Sequence, residues 1–220
     1  MRLRQLVCAG LVAAPVFGTL AAQGAATPLR RFGFTAGVNS SNLGGADVGD
    51  QSRRTGFTAG GLLVLPLNSE VAIEPEFLYT TKGAVSNGTE PNGTKTTATF
   101  KMNYVEVPVL LRLDLSPSGD MRPFLYAGPA ISFKASCTIE GTSQGVSISS
   151  TCDALEVQGP KLNTVDYGLV GGGGVAFNVG GRAFSIGARY DHSLGKISSD
   201  SDVKHRVISV LATFEFPWGK

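Results

Sequence analysis

Apolar and polar residues alternate along about eight stretches of this 220-residue chain. Successive side chains of a β-strand point to opposite faces, so a period of two predicts strands rather than helices. Each stretch is close to the roughly 10 residues that a tilted strand needs to cross a bilayer. The predicted strands are Arg31–Asn39, Thr55–Pro66, Glu70–Lys82, Phe100–Leu113, Arg122–Lys134, Thr164–Val179, Arg182–His192 and Lys204–Trp218.

The connections between these strands fall into two length classes. The long, polar connections are 40–54, 83–99, 135–163 and 193–204. The short connections lie near 67–69, 114–121 and 179–182. Long connections at one end and short ones at the other are typical of an outer-membrane barrel, whose short turns face the periplasm. We therefore predict an all-β fold, an eight-stranded antiparallel up-and-down transmembrane β-barrel that leaves no sheet edge in lipid.

The composition favours a wall that faces lipid. Only 16% of the residues are charged, and glycine occurs 29 times. The second face of the strands carries mainly Gly, Ser and Thr with isolated charges, whereas a wall facing water usually carries more Lys and Glu. A formal net charge of +2 gives no basis for a nucleic-acid partner. No linker divides the chain, so 27–220 is predicted to be one outer-membrane β-barrel domain.

Residues 1–22 have the features of a secretory signal peptide. Arg2 and Arg4 provide the basic start, a short apolar core follows, and small residues end the segment. The apolar core is short for a membrane-spanning helix. We expect cleavage between Ala22 and Ala26 and export of the remaining chain.

Ionisable residues on the second face are predicted to lie inside the barrel. They are Glu74, Glu76, Glu106, Arg112, Asp166, Arg189 and Glu215, with Lys82 as a further cation. A buried charge without a partner is costly, so we expect a connected network of ion pairs. Because an eight-stranded barrel is filled by its own side chains, this interior is expected to leave no open pore.

Cys137 and Cys152 both lie in the longest polar segment, while Cys8 falls in the predicted signal peptide. An even pair in an exported protein predicts a disulfide. The bridge would close a loop of about 15 residues, worth roughly 3 kcal/mol in the chain-entropy estimate. Since 135–163 has little apolar content, we expect the disulfide to restrain an exposed loop rather than to hold the barrel together.

Five segments carry a resemblance to a known family. They are Gly33–Ser40, Glu76–Tyr79 with the following Lys82 and Gly83, Tyr104–Leu111, Pro123–Pro129, and the run Gly171–Gly174. In order and spacing they resemble the PorT-like outer-membrane β-barrel family of Gram-negative bacteria. The resemblance covers most of the exported chain. It implies a location in the cell outer membrane and no catalytic residues.

Sequence signals for an enzyme are weak. His192 and His205 both fall at the long-segment end of a strand, where we expect surface histidines. His192 and Ser193 are adjacent, so on a strand their side chains point to opposite faces and form no dyad. The run Gly171–Gly174 lacks the Lys-Ser/Thr and the following helix of a phosphate-binding loop. We expect no catalytic residue, no cofactor and no metal ion.

Two alternatives stay open beside the main prediction. A soluble, exported lipocalin-like barrel usually carries Gly-x-Trp near its first strand, whereas Trp218 lies at the opposite end of this chain. An outer-membrane lipid hydrolase is the second alternative. The main prediction is a monomeric, integral outer-membrane barrel of structural or surface-interaction type, surrounded by outer-membrane lipid. Its extracellular partner is expected to bind through 135–163, because loops carry function on a rigid scaffold.

Overall fold

The computed structural model describes residues 29–45, 51–152, 154, 162–198 and 202–218. The strands there are β1 (Arg30–Gly44), β2 (Ser52–Pro66), β3 (Val71–Thr89), β4 (Lys95–Asp114), β5 (Met121–Ser143), β6 (Val146–Thr151), β7 (Val165–Val179), β8 (Arg182–Ser193) and β9 (Lys204–Trp218). In these ranges no helix has the length and apolar character to cross a membrane. The predicted signal peptide, 1–22, lies outside the described residues.

Eight of the strands form a closed antiparallel ring in the order β1-β2-β3-β4-β5-β7-β8-β9. The ring closes between β1 and β9, where Arg30 is opposite Trp218 and Gly44 is opposite Lys204. β6 lies outside the ring and pairs with the far end of β5. The predicted all-β, eight-stranded up-and-down barrel is confirmed, with β6 as an additional strand.

The outer face of the ring is an apolar belt. Phe34 and Phe77 are each 63% exposed, and Tyr167 is 61% exposed. Further members of the belt are Val38, Phe57, Leu111, Leu125, Ile186 and Val210. Burying one large apolar side chain is worth about 1.5–3 kcal/mol. A belt of this size is therefore favourable only against another apolar phase, as in a bilayer.

Tight turns join the strands at the short-turn end. Gly180 and Gly181 have φ values of 58° and 78° and connect β7 to β8 directly. Positive φ at both central residues is the geometry of a type I′ hairpin turn, which glycine adopts without strain. Between β2 and β3, the Asn68 Oδ1 accepts hydrogen bonds from the backbone N–H groups of Glu70 and Val71, at 2.8 and 2.7 Å.

The polar segments 83–99 and 135–163 contain more strand than the sequence predicted. β3 continues to Thr89 and β4 already begins at Lys95, with only a short turn between them. β5 continues to Ser143 and then turns back as β6. The prediction of loops there was wrong because polarity was taken as a loop signal. β-branched Thr residues favour strands, and beyond the lipid both faces of a sheet can meet water.

β1 and β9 approach each other closely at the barrel closure. A Cβ atom on Gly37 would lie 1.9 Å from the carbonyl oxygen of Val210 and 2.9 Å from the Cα of Leu211. Both atoms belong to backbone that is fixed by the ring of hydrogen bonds. Glycine at position 37 is therefore required by packing rather than by an unusual φ.

We expect Gly37→Ala to lower the free energy of unfolding by about 1–3 kcal/mol, because the methyl group overpacks the closure. Gly171→Ala is the matched control, since no heavy atom lies within 4 Å of a Cβ placed there. The control should stay within about 0.5 kcal/mol of the parent chain. Urea unfolding in detergent, followed by the fluorescence of Trp218, measures both. Equal unfolding midpoints for the two variants would contradict the packing argument.

Candidate functional site

The barrel interior places its charged side chains in three tiers along the axis. The first tier, nearest the long-segment end, is built on Lys82. Its Nζ lies 2.7 Å from the Glu106 Oε2 and 5.2 Å from the centre of the Tyr104 ring. The Ser132 hydroxyl donates a second hydrogen bond to the Glu106 Oε2, at 3.1 Å. The cation is thus held by one carboxylate and one aromatic face.

The middle tier is built on Arg189. Its Nη2 donates to the Glu76 Oε1 at 2.6 Å. The guanidinium carbon lies 5.2 Å from the centre of the Tyr126 ring, and the Nε donates to the Tyr126 hydroxyl at 3.4 Å. The middle tier therefore repeats the combination of one cation, one carboxylate and one aromatic ring.

The third tier, nearest the short-turn end, is built on Arg112. Its Nη1 lies 2.9 Å from the Glu74 Oε2 and 3.0 Å from the Glu215 Oε1. Its Nε donates to the Asp114 Oδ1 at 3.0 Å. The guanidinium carbon lies 4.1 Å from the centre of the Phe124 ring. One buried cation is thus shared by three carboxylates.

Glycines in β7 provide the space for two of these aromatic rings. A Cβ atom on Gly172 would lie 2.9 Å from the Cζ of Tyr126, and one on Gly174 would lie 2.9 Å from the Cζ of Phe124. Larger residues at these positions would displace the rings on which Arg189 and Arg112 rest. The glycine run of the sequence therefore serves the charged tiers of the interior, by close packing.

All seven residues predicted for the interior are buried. Six of them form ion pairs, grouped as three tiers that no described ion pair connects. Asp166 instead accepts a hydrogen bond from the Ser193 hydroxyl at 2.5 Å. The sequence reading missed Arg31, whose Nε lies 2.7 Å from the Glu215 Oε2. Three more buried residues were not predicted for the interior, although the alternation along their strands places them on the inward face. They are Asp114, Arg122 and Asp191.

The tiers leave little space between them. A cavity of about 20 Å³ lies beside Glu76 and Arg189, and one of about 10 Å³ lies beside Lys82 and Asp191. Each has room for about one water molecule. A larger cavity of about 270 Å³ opens at the short-turn mouth, where Arg122 is among the lining residues. In the described part of the chain, no group of three or more His, Cys, Asp or Glu residues could hold a metal ion.

A hydrophobic cap closes the long-segment end of the interior. Cys137 and Cys152 form a disulfide, and both residues are buried. They pack with Met102, Tyr104 and Ile197, which come from β4 and from the connection after β8. The disulfide therefore lies in this cap rather than in an exposed loop. The sequence did not indicate this burial, because the apolar residues that pack against the disulfide lie far from it in the chain.

The two histidines differ in their surroundings. His205 is buried, and its Nε2 lies 3.3 Å from the Tyr104 hydroxyl. The prediction of a surface histidine was wrong for this residue, because strand β9 turns it inward under the cap. His192 points outward and stacks on Tyr190 with ring centres 6.2 Å apart. The neighbouring Ser193 points inward, so the adjacent pair is split between the two faces as predicted.

Beyond the belt, the strands continue as an outer sheet formed by 84–89 of β3, 95–103 of β4, 136–143 of β5 and all of β6. Val146 and Ile148 of β6 are 65% and 71% exposed. A groove of about 410 Å³ lies beside them, and small residues such as Gly88, Ala98 and Gly141 contribute to its lining. The outer sheet therefore presents apolar side chains where lipid does not cover them.

The buried pair of the middle tier should be needed for stability. We expect Arg189→Leu to lower the free energy of unfolding by about 3–5 kcal/mol, because it leaves the Glu76 carboxylate buried and unpaired. Adding Glu76→Leu should recover most of this loss. The matched control is Lys101→Leu, which breaks the ion pair between Lys101 and Glu140. The two side chains are 34% and 39% exposed, and an exposed pair of this kind is worth about 0–1 kcal/mol. Urea unfolding in lipid micelles measures all three, and equal losses for Arg189→Leu and Lys101→Leu would contradict the argument.

The disulfide should hold the cap but not the ring. We expect Cys137→Ser with Cys152→Ser to leave the heat-dependent gel mobility of the folded barrel intact, because the ring closes through β1 and β9. In the chain-entropy estimate, loss of the disulfide should destabilise the cap by about 3 kcal/mol. Proteolysis on whole cells should then cut near Gln144 and Gly145, which form the β5–β6 turn. Loss of the folded gel band would show that the bridge supports the ring, and protection of this turn until lysis would place it in the periplasm.

Comparison with known proteins identifies the family. The family model of the outer membrane protein beta-barrel domain matches residues 21–199. No curated protein sequence matches this chain. Among solved structures the chain is similar to Ail, the attachment invasion locus protein of Yersinia pestis, with 17% identity, a TM-score of 0.46, and coverage of 86% of this chain and 100% of that one.

Two further solved structures are also similar to this chain at low sequence identity. Neisserial surface protein A shares 15% identity at a TM-score of 0.48, over 85% of this chain and 97% of that one. The outer membrane enzyme PagL shares 14% identity at a TM-score of 0.37, over 84% of this chain and 99% of that one.

The family match spans most of the chain and agrees with the closed ring, the apolar belt and the filled interior. The expected location in the outer membrane is thus confirmed. This chain belongs to the outer membrane protein β-barrel domain family and is an integral β-barrel of the Gram-negative outer membrane.

Proposed function

We propose that this barrel is a non-enzymatic surface-interaction protein whose partner binds the outer sheet at the β5–β6 hairpin. The observation that carries this proposal is the exposure of Val146 and Ile148, at 65% and 71%, beyond the lipid belt. Apolar side chains facing water contribute nothing favourable by themselves. A partner that covers them would gain the burial of both.

The hairpin also suits one mode of recognition. β6 pairs with β5 through Thr138–Ser143, and within the described residues it pairs with no other strand. An exposed strand edge can bind an extended peptide segment through main-chain hydrogen bonds, with side-chain pockets adding specificity. The groove beside Ile148 would receive apolar side chains of that segment. We therefore propose an extended, apolar protein segment as the partner of the region 135–163.

The interior supports a protein without an open pore. Cavities of about 20 and 10 Å³ separate the tiers, which is far less than a solute channel needs.

The placement of the histidines supports a non-enzymatic role. His205 contacts Tyr104 beneath the cap, and His192 stacks on Tyr190, so neither has a described hydrogen bond to a serine.

We also propose that the chain belongs to the PorT-like subgroup and acts as a monomer. Tyr104–Leu111 is the segment that supports the subgroup best. Its alternation lines the interior with Tyr104, Glu106 and Leu110, each of which is buried. The closed ring supports a monomer, because no strand edge within the lipid calls for a second copy.

The test is Val146→Ser with Ile148→Ser, made in the barrel embedded in lipid nanodiscs. A random peptide library displayed on phage should yield peptides with alternating apolar residues that bind the parent barrel. The double variant should bind them at least about 10-fold more weakly, as expected for the loss of an apolar anchor.

The matched control is Ser147→Ala with Ser149→Ala, which changes the opposite face of the same strand. The control should bind the selected peptides as the parent barrel does. Enriched peptides that bind all three barrels equally would place the interaction surface elsewhere.

A further inference from the structure

Two arginines stand on the outward face of the barrel, on either side of β1. Arg206 of β9 is the Cα partner of Asn42 in β1. Arg53 of β2 directly precedes Arg54, the Cα partner of Ser41, so continuing this register brings Arg53 opposite Asn42. Neighbouring strands lie about 4.8 Å apart, which puts the two arginine backbones roughly 10 Å apart at the same height. We call Arg53 and Arg206 the arginine pair.

Both side chains lie against β1. The Arg53 Nη1 donates to the carbonyl oxygen of Ser40 at 3.5 Å. The Arg206 Nε would lie 2.7 Å from a Cβ atom on Gly44, so glycine there provides the room that the guanidinium occupies. The two charged groups therefore approach β1 from opposite flanks, and both residues remain exposed.

Neither member of the arginine pair is neutralised by a carboxylate in the described ranges. The exposed ion pairs nearby involve other residues, namely Lys101 with Glu140 and Lys204 with Asp202. The surface thus offers two guanidinium groups that no described carboxylate neutralises.

The height of the arginine pair places it at the membrane boundary. The next outward-facing large apolar residues toward the membrane are Phe57 on β2, Val38 on β1 and Ile208 on β9, and all three are exposed. Between Ile208 and Trp218 the strand has roughly the 9–11 residues that cross the hydrocarbon. The arginine pair therefore lies where the apolar belt ends and the headgroups of the outer leaflet begin.

We propose that Arg53 and Arg206 bind the phosphate groups of a phosphorylated glycolipid of the outer leaflet. The guanidinium fork matches phosphate oxygens in two parallel hydrogen bonds. The acyl chains would lie on the belt residues directly beneath. This lipid site is independent of the protein partner proposed for the β5–β6 hairpin.

The experiment uses the full-length mature barrel in phosphatidylcholine nanodiscs containing a diphosphorylated glycolipid, lipid A. Native mass spectrometry counts the lipid A molecules that stay bound, and a lipid A titration gives the affinity. Arg53→Gln with Arg206→Gln should bind lipid A roughly 30-fold more weakly, equivalent to about 1 kcal/mol for each cation at the surface. Arg53→Lys with Arg206→Lys should retain part of the affinity, because the charge remains while the fork is lost.

The matched control is Lys95→Gln with Lys196→Gln, which removes the same charge from exposed positions in the polar extracellular region. The control should bind lipid A as the parent barrel does. An equal loss in the control would reduce the effect to overall charge and overturn the site, as would unchanged binding in the arginine variant. Displacement of lipid A by excess inorganic phosphate would assign the pair to free phosphate and overturn a lipid site.

The gel mobility of the folded band checks that the arginine variant assembles. If it does not assemble, the single variants Arg53→Gln and Arg206→Gln are titrated, each with an expected loss of about 5-fold. Single variants that bind lipid A with the parent affinity would overturn the proposal.

Discussion

A chain that crosses hydrocarbon with strands must satisfy every backbone N–H and C=O group within the protein. Each unsatisfied group costs several kcal/mol there, so the sheet has to close. In this barrel the closure is the pairing of β1 with β9, continuous from Arg30 and Trp218 to Gly44 and Lys204. The close backbone approach at Gly37 belongs to this pairing, which is why a residue without a side chain occupies that position.

Closure at eight strands leaves a narrow interior, and the interior chemistry follows from that. Each cation contacts at least one carboxylate and an aromatic ring, so that desolvation is offset by several contacts at once. Gly172 and Gly174 of β7 give the rings of Tyr126 and Phe124 their places. The charged residues therefore fill and stabilise the barrel, whereas a transport role would require space that the tiers occupy.

The features available for interaction are displaced to the ends and the outer surface of the ring. The outer sheet carries Val146 and Ile148 beyond the lipid belt, and the arginine pair lies at the edge of that belt. The cap around the Cys137–Cys152 disulfide separates these surfaces from the charged interior. A rigid wall with variable outer extensions is the usual way in which a scaffold carries a binding function.

The sequence by itself determined the strand periodicity, the inward and outward faces and the buried charges, because a period of two is a local property of extended backbone. Only the tertiary structure decided the partners. Arg112 on β4 meets Glu215 on β9, and Arg189 on β8 meets Glu76 on β3, across a barrel whose register no local pattern reveals.

The same dependence on tertiary contacts explains where the predictions from the sequence were wrong. Burial of His205 and of the disulfide depends on Met102, Tyr104 and Ile197, which lie far apart in the chain. The segment 83–99 reads as a loop by its polarity, yet pairing with neighbouring strands makes it a sheet in water. Local alternation thus specifies which face a side chain takes, while the closure of the ring selects what it touches.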